Sequence, residues 1–199
     1  MIKGGVREKA LITLVFDMSG SMSGGKKDVI KNVIKSLMLD AAVNDDKVAF
    51  ISVHGRFAKK IFGFTANLAE AEEAIEKENF GGTTPLASGI FLGMNILENE
   101  LRSSGDEYEP LFVICSDGIS NVPIGIGANI KRELDIKAHT LRNADHIHKL
   151  FIDISEEGSE EAIQLAKKCN ARYFHSEGLD EETIYKLIKN ERDRITRVF

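Results

Sequence analysis

Three short polar segments hold the side chains in this sequence that could bind a metal ion. They are Asp17-Met18-Ser19-Gly20-Ser21, Gly81-Gly82-Thr83-Thr84-Pro85 and Ser116-Asp117-Gly118. These segments offer carboxylate and hydroxyl oxygens, and they offer no thiolate or imidazole at a usable spacing. Sites built only from oxygen ligands favour Mg²⁺, Mn²⁺ or Ca²⁺ over zinc or copper. We therefore interpret the three segments as parts of one candidate site for a hard divalent cation.

The spacing within the first segment supports a shared site. Asp17, Ser19 and Ser21 occupy alternate positions after a predicted strand, so their side chains can point the same way, and Gly20 permits a tight backbone path. Hydroxyl ligands such as Ser19, Ser21 and Thr84 carry no charge and leave a bound cation short of negative ligands. We expect an Asp or Glu of a partner protein to complete the coordination shell.

The elements that must position these segments follow from the apolar pattern. Short apolar runs alternate with helical periodicity, which is typical of βαβ units around a parallel sheet. Residues 10–16 predict a central strand that is buried on both faces. Residues 47–54 and 57–64 predict two strands too close together for a helical crossover, so that pair must be antiparallel. The remaining predicted strands are 111–115, 149–154 and 172–175, and the predicted helices lie at 29–41, 67–78, 85–101, 128–142, 160–169 and from 180 onward.

These elements predict an α/β fold with a doubly wound, mostly parallel six-stranded sheet, one antiparallel edge strand and helices on both faces. The length of 199 residues fits a single domain over residues 1–199, with an N-terminal extension over residues 1–9. Ligands of such sheets bind beyond the carboxyl ends of the strands, where the strand order reverses. The polar segments after residues 16 and 115 are expected at that edge.

Composition narrows the classes of function. A net charge of −5 argues against a protein whose main task is to bind nucleic acid, because the phosphate backbone requires a basic surface. No segment is long and apolar enough to span a bilayer, and the N-terminal residues do not resemble a signal peptide. The two cysteines lie in apolar surroundings, so we expect no disulfide and a cytoplasmic location.

The polar segments resemble the metal-binding motif, known as MIDAS, of von Willebrand factor A (VWA) domains. Asp17, Ser19 and Ser21 match the D-x-S-x-S element, and Thr84 and Asp117 stand at the other two positions. The resemblance runs from about residue 7 to about residue 187 and implies a Rossmann-like fold. It also implies that Ser19, Ser21 and Thr84 contact the metal directly, while Asp17 and Asp117 act mainly through water or hydrogen bonds. The metal would be Mg²⁺, with Mn²⁺ or Ca²⁺ as alternatives.

Within this family the chain looks most like the C-terminal domains of magnesium chelatase D subunits and their cobalt-chelatase relatives. The resemblance is carried by DMSGSM at 17–22, DKVAF at 46–50, GGTTPLA at 81–87 and SDGISNV at 116–122. It implies a module without catalytic activity that binds an ATPase subunit or the large subunit of a chelatase complex. The alternative is a stand-alone regulator or scaffold for an AAA+ ATPase, unconnected with tetrapyrroles.

A phosphate-binding loop is a further alternative. GSMSGGK at 20–26 fits the first seven places of the P-loop pattern, but Lys27 stands where that loop needs a Ser or Thr to bind Mg²⁺. His146 and His148 have a spacing that could ligate a transition metal, yet no third soft ligand lies nearby, and surface histidines are the better interpretation.

Each site residue also has an ordinary structural interpretation. Asp17, Ser19 and Ser21 could form a turn before a helix, Thr84 could cap the helix that follows Pro85, and Asp117 could end a strand in an Asp-Gly turn. The agreement of the three segments favours the metal site over these separate interpretations.

Overall fold

The computed structural model describes residues 9–20 and 25–197, which form a six-stranded sheet between two layers of helices. The strands are β1 (Lys9–Asp17), β2 (Lys47–Val53), β3 (Lys59–Thr65), β4 (Tyr108–Cys115), β5 (His148–Asp153) and β6 (Arg172–His175). The helices are α1 (Lys26–Asn44), α2 (Leu68–Glu76), α3 (Leu86–Ser104), α4 (Ile130–Arg142), α5 (Glu160–Cys169) and α6 (Glu181–Ile195). A 3-10 turn at Gly105–Glu107 joins α3 to β4.

The strand order is β3-β2-β1-β4-β5-β6, with β3 antiparallel to β2 and every other pair parallel. This arrangement confirms the predicted mostly parallel sheet with one antiparallel edge strand. The chain leaves β1 toward β2 and later returns to pair β4 on the other side of β1. The strand order therefore reverses between β1 and β4, where parallel sheets present their ligand sites.

Burial on both faces explains the continuous apolar run of β1. Leu14 and Phe16 pack into the layer formed by α1, α2 and α6, whereas Leu11 and Val15 pack into the layer formed by α3, α4 and α5. All four side chains are 0% exposed. Along the described part of the chain, no helix combines the length and the apolar character that a bilayer crossing requires.

Two glycines let α3 approach the sheet closely. A Cβ atom at Gly89 would lie 2.5 Å from the Val53 side chain, and one at Gly93 would lie 2.9 Å from the Phe112 ring. Both distances are shorter than real Cβ contacts, so a larger residue would push the helix away from the strands. Because the helix lies this close, the loop before its first turn reaches the carboxyl end of β1.

A buried ion pair connects α6 to the end of the sheet at which β1 and β2 begin. Arg192 donates from Nε and Nη2 to the two carboxylate oxygens of Asp46 at 2.7 and 2.8 Å, and the Ala10 amide donates to the same carboxylate at 2.7 Å. Arg192 is 4% exposed and Asp46 is 2% exposed. The charges and donors satisfy one another, as buried charges require.

The starts of two strands differ from the predicted boundaries by two or three residues. β4 begins at Tyr108, three residues before the predicted start, because residues 108–110 already pair with β1. Pro110 is tolerated there since the pairing with β5 begins only at Leu111. β3 begins at Lys59 instead of residue 57, because the residues before it form the turn of the β2–β3 hairpin.

Candidate metal centre

Asp17 ends β1 and links two of the three polar segments. Asp17 is 4% exposed. Oδ1 accepts a hydrogen bond from the Ser19 amide at 2.9 Å, and Oδ2 accepts one from the Ser116 hydroxyl at 3.2 Å. The carboxylate therefore fixes the backbone of its own loop and also contacts the loop that follows β4.

Ser19 and Thr84 bring the first and second segments together. The Thr84 hydroxyl donates to the Ser19 hydroxyl oxygen at 2.7 Å, although the two residues are 65 positions apart in the chain. Next to them, the Gly20 amide donates to the Gly82 carbonyl at 3.0 Å. Gly20 has φ of 87°, a conformation that favours glycine. The two hydroxyl groups share one location because a backbone bridge holds their loops together.

The loop after β4 holds Thr84 from the other side. The Thr84 amide donates to Asn121 Oδ1 at 2.7 Å, and its carbonyl accepts from the Asn121 amide and the Ser120 hydroxyl, each at 3.1 Å. The Thr83 side chain points toward the β2–β3 connection, since its hydroxyl donates to the Gly55 carbonyl at 2.7 Å. Of the two neighbouring threonines, Thr84 is the one that meets Ser19.

Asp117 lies in the third segment and is partly buried. Its Oδ1 accepts a hydrogen bond from the Ile119 amide at 2.9 Å. Burial raises the pKa of Asp117, and the negative charges of Asp17 and Asp153 raise it further, against the opposing effects of the Ile119 amide and Lys26. These effects show that Asp117 lies within electrostatic reach of Asp17.

The first turn of α5 supports the Asp117 loop. The Ser159 hydroxyl donates to the Asp117 carbonyl at 2.5 Å, and the Ser159 amide donates to the buried Asp153 at 2.7 Å. Burial alone would raise the pKa of Asp153, but hydrogen bonds from Ser155, Ser159 and Tyr173 outweigh it and lower that pKa. Asp153 is thus a charged anchor for the loop and not a free ligand.

Lys26 brings a positive charge to the same place. As the first residue of α1, it directs its Nζ to the Ser19 carbonyl at 3.1 Å. Burial lowers the pKa of Lys26, while the charges of Asp17 and Asp117 oppose that change. The ammonium group therefore lies near both carboxylates.

The predicted site residues can now be placed. Asp17, Ser19 and Thr84 are joined by direct hydrogen bonds, and Asp117 follows Ser116, which contacts Asp17. Ser21 lies outside the described residues. The turn interpretation of the two aspartates also holds, since each accepts a hydrogen bond from the amide two residues further on. The helix-capping interpretation of Thr84 does not, because Pro85 precedes α3 and no side chain caps that helix.

No role could be assigned from the sequence to Ser120 or Asn121, and Ser116 was included only as a member of the third polar segment. Ser116, Ser120 and Asn121 hold Asp17 or Thr84 in place. Ser116 could be recognised as part of the site because its hydroxyl directly follows a predicted strand and precedes Asp117. Asn121 gave no comparable signal, because its partner lies 37 positions away.

The donor set suits a hard cation. Neighbouring ligands in a regular Mg²⁺ octahedron, with bonds of about 2.0–2.1 Å, are about 2.9 Å apart. The Ser19 and Thr84 hydroxyl oxygens are 2.7 Å apart, so they need little movement to share an ion. Within residues 9–20 and 25–197, no group of three His, Cys, Asp or Glu side chains is arranged to hold a metal ion.

The two histidines give no second site. His146 contacts Glu98 at 2.9 Å, and His148 contacts Glu109 at 3.3 Å. Each imidazole has a separate carboxylate partner, which agrees with the surface interpretation.

Comparison with known proteins finds a matching family and a similar protein. Residues 12–119 match the von Willebrand factor type A domain family. The chain is 29% identical over 191 residues to the magnesium-chelatase 67 kDa subunit of Chlorobaculum tepidum, a match that covers 89% of this chain and 30% of the relative. The chain therefore spans less than a third of the length of that relative.

Solved structures share the fold. Proximal thread matrix protein 1 from the mussel byssus, solved with a zinc-occupied MIDAS motif, superposes with a TM-score of 0.67 at 17% identity and covers 93% of this chain and 48% of that one. The manganese-loaded TRAP protein of Plasmodium vivax gives a TM-score of 0.63 at 16% identity and covers 96% of this chain and 75% of that one. At these identities the likeness concerns the fold alone.

Proposed function

The chain belongs to the von Willebrand factor type A domain family, and from that premise we propose that residues 1–199 form a metal-ion-dependent protein-interaction module. The observation that carries the proposal is the 2.7 Å contact between the Ser19 and Thr84 hydroxyls, which come from separate loops at the switch point of the sheet. A divalent cation bound there would offer a coordination position to a carboxylate of a partner protein.

We assign the ligands by combining the family motif with this geometry. Ser19, Ser21 and Thr84 would hold the ion through their hydroxyl oxygens. Asp17 and Asp117 would act through water or hydrogen bonds, because one oxygen of each carboxylate already accepts a backbone amide. The ion would be Mg²⁺, with Mn²⁺ or Ca²⁺ able to replace it, since all these ligands are hard oxygens.

The partner follows from the chelatase relatives. We propose that the module belongs to, or is related to, a magnesium or cobalt chelatase complex, where an ATPase subunit or the large subunit would supply the Asp or Glu. The module itself would be non-catalytic. Its two cysteines are free and buried, which supports a cytoplasmic location. The second candidate is a stand-alone regulator or scaffold for an AAA+ ATPase.

Two adjacent threonines give a matched test of the metal site. We expect Thr84→Val to weaken Mn²⁺ binding to the full chain at least about tenfold, because the substitution removes a ligand oxygen but keeps the shape of the side chain. Thr83→Val should leave the affinity unchanged, since the Thr83 hydroxyl donates to the Gly55 carbonyl, away from Ser19. Electron paramagnetic resonance of free Mn²⁺ measures both affinities.

Equal Mn²⁺ affinity for the two variants would contradict the assignment. The P-loop alternative makes a different prediction, because it requires micromolar ATP binding that Lys26→Ala abolishes. Equilibrium dialysis with ATP therefore separates the two functions.

A further inference from the structure

Two neighbouring lysines at the start of α1 have different surroundings. Lys26 points to the metal loop and donates to the Ser19 carbonyl at 3.1 Å. Lys27 points away and donates to the carbonyls of Glu76 and Glu78, at 3.0 and 3.1 Å, near the end of α2. The structure places the first of the two lysines, Lys26, beside the candidate ligands.

The surroundings of Lys26 act on its positive charge in two opposite ways. Its side chain is partly buried, and burial opposes its positive charge. The nearby negative charges of Asp17 and Asp117 favour the ammonium form. These are the two carboxylates that a divalent cation would also need.

We propose that Lys26 is an internal cation that opposes the divalent ion and so makes metal binding depend on the partner's carboxylate. This inference rests on the proposed function, because it concerns the regulation of the same site. Lys26 would act as a positioning residue for charge and not as a ligand.

The position of Lys26 gives the reason. Its ammonium group donates to the Ser19 carbonyl at 3.1 Å, so it would lie within a few ångströms of an ion held by the Ser19 hydroxyl and would repel that ion. A carboxylate from outside would be attracted by both positive charges. The lysine therefore weakens metal binding alone and strengthens the joint binding of metal and partner.

Lys26→Met and Lys27→Met provide the test, because each removes one positive charge and the two positions are adjacent. We expect Lys26→Met to bind Mn²⁺ about tenfold more tightly than the natural chain. Even in water, the repulsion between a unit charge and a divalent ion several ångströms apart corresponds to about a tenfold change in affinity. Lys27→Met should retain the natural affinity. Lys26→Arg keeps the charge and should also retain it.

A second measurement follows the coupling. Replacing chloride by acetate at constant ionic strength supplies a carboxylate probe, and we expect acetate to tighten Mn²⁺ binding more in the natural chain than in Lys26→Met. Thermal unfolding of each variant verifies that it is folded. Affinity that is unchanged or weaker in folded Lys26→Met overturns the inference and leaves the metal site intact. If neither the natural chain nor any variant takes up Mn²⁺, the proposed function fails as well.

Discussion

Asp17 and Asp117 each combine a structural role with a chemical one. One oxygen of each carboxylate accepts the amide two residues further on and so shapes a turn. The turn brings the next polar groups to the same end of the sheet. A substitution at either aspartate would therefore alter both loop shape and charge, which is why Thr84 is the cleaner position for testing metal binding.

Gly118 allows the Asp117 loop to touch α5. It has φ of 81°, and a Cβ atom there would lie 2.4 Å from the Ala162 amide nitrogen. We expect Gly118→Ala to lower the free energy of unfolding by about 2–5 kcal/mol, from backbone strain together with overpacking. Gly127 is the matched control because its φ is 72° and nothing lies within 4 Å of its Cβ position.

For Gly127→Ala only the strain remains, and the expected loss is about 1–2 kcal/mol. Urea unfolding measures both values. Equal losses at the two positions would show that contact with α5 does not limit the residue at 118.

At the scale of elements, the Asp46–Arg192 pair joins α6 to the start of β2. We expect Arg192→Met to destabilise the protein by about 3–5 kcal/mol, because it leaves the buried Asp46 carboxylate without its charged partner. Denaturant unfolding measures the loss. Lys186→Met, which removes an exposed pair with Glu182 on the same helix, should leave stability unchanged.

The ion pair and the metal loops lie at opposite ends of the sheet. Arg192→Met should therefore retain the Mn²⁺ affinity of the natural chain under conditions where it is folded. A large loss of affinity would mean that α6 influences the site through the sheet.

The elements could be predicted well because their apolar patterns are local. The limits of α5 and β6 agree with the predicted ones, and Asp180 caps α6 as expected. The start of β4 could not be predicted, because Pro110 is unfavourable in a strand unless only one neighbour pairs with it. Which strands pair with Pro110 depends on the register of the sheet, and a local sequence pattern carries no information on register.

The candidate site was predictable to a smaller extent. Asp17 and Ser19 stand in one motif, whereas the meeting of Ser19 with Thr84 depends on a backbone bridge between distant glycines. The orientation of Lys26 depends on the direction of α1 relative to the sheet. Such properties arise from the packing of whole elements, and the residues alone do not reveal them.

At the scale of the whole molecule, the sheet separates two cores, and each contains one cysteine. Cys115 packs in the core with α1 and α6, while Cys169 packs in the core with α3 and α4. Burial raises the pKa of the Cys115 thiol, and burial, with opposing effects of Lys149 and Lys168, raises that of Cys169 to about 12. The thiolate is the reactive form, so burial and a raised pKa both protect these thiols from reaction.

We expect both thiols to react with a thiol reagent at least about 10³-fold more slowly in the native protein than in the unfolded chain. In rising urea they should become reactive in one transition, because both cores share the same strands. Cys169→Ala and Cys115→Ala report each core separately. Different midpoints for the two variants would show that one layer of helices opens first.

The antiparallel direction of β3 has a consequence for recognition. It brings the hairpin turn between β2 and β3 to the edge that carries the ligand loops, where Arg56 stacks on Phe57 and donates to the Pro123 and Ile124 carbonyls. Insertions or deletions in this turn would change the border of the sheet edge that carries the proposed ligands, while β2 stays paired with β1. The Gly55 carbonyl in the same turn accepts the Thr83 hydroxyl, so a change in the length of the turn would also move the loop that carries Thr84.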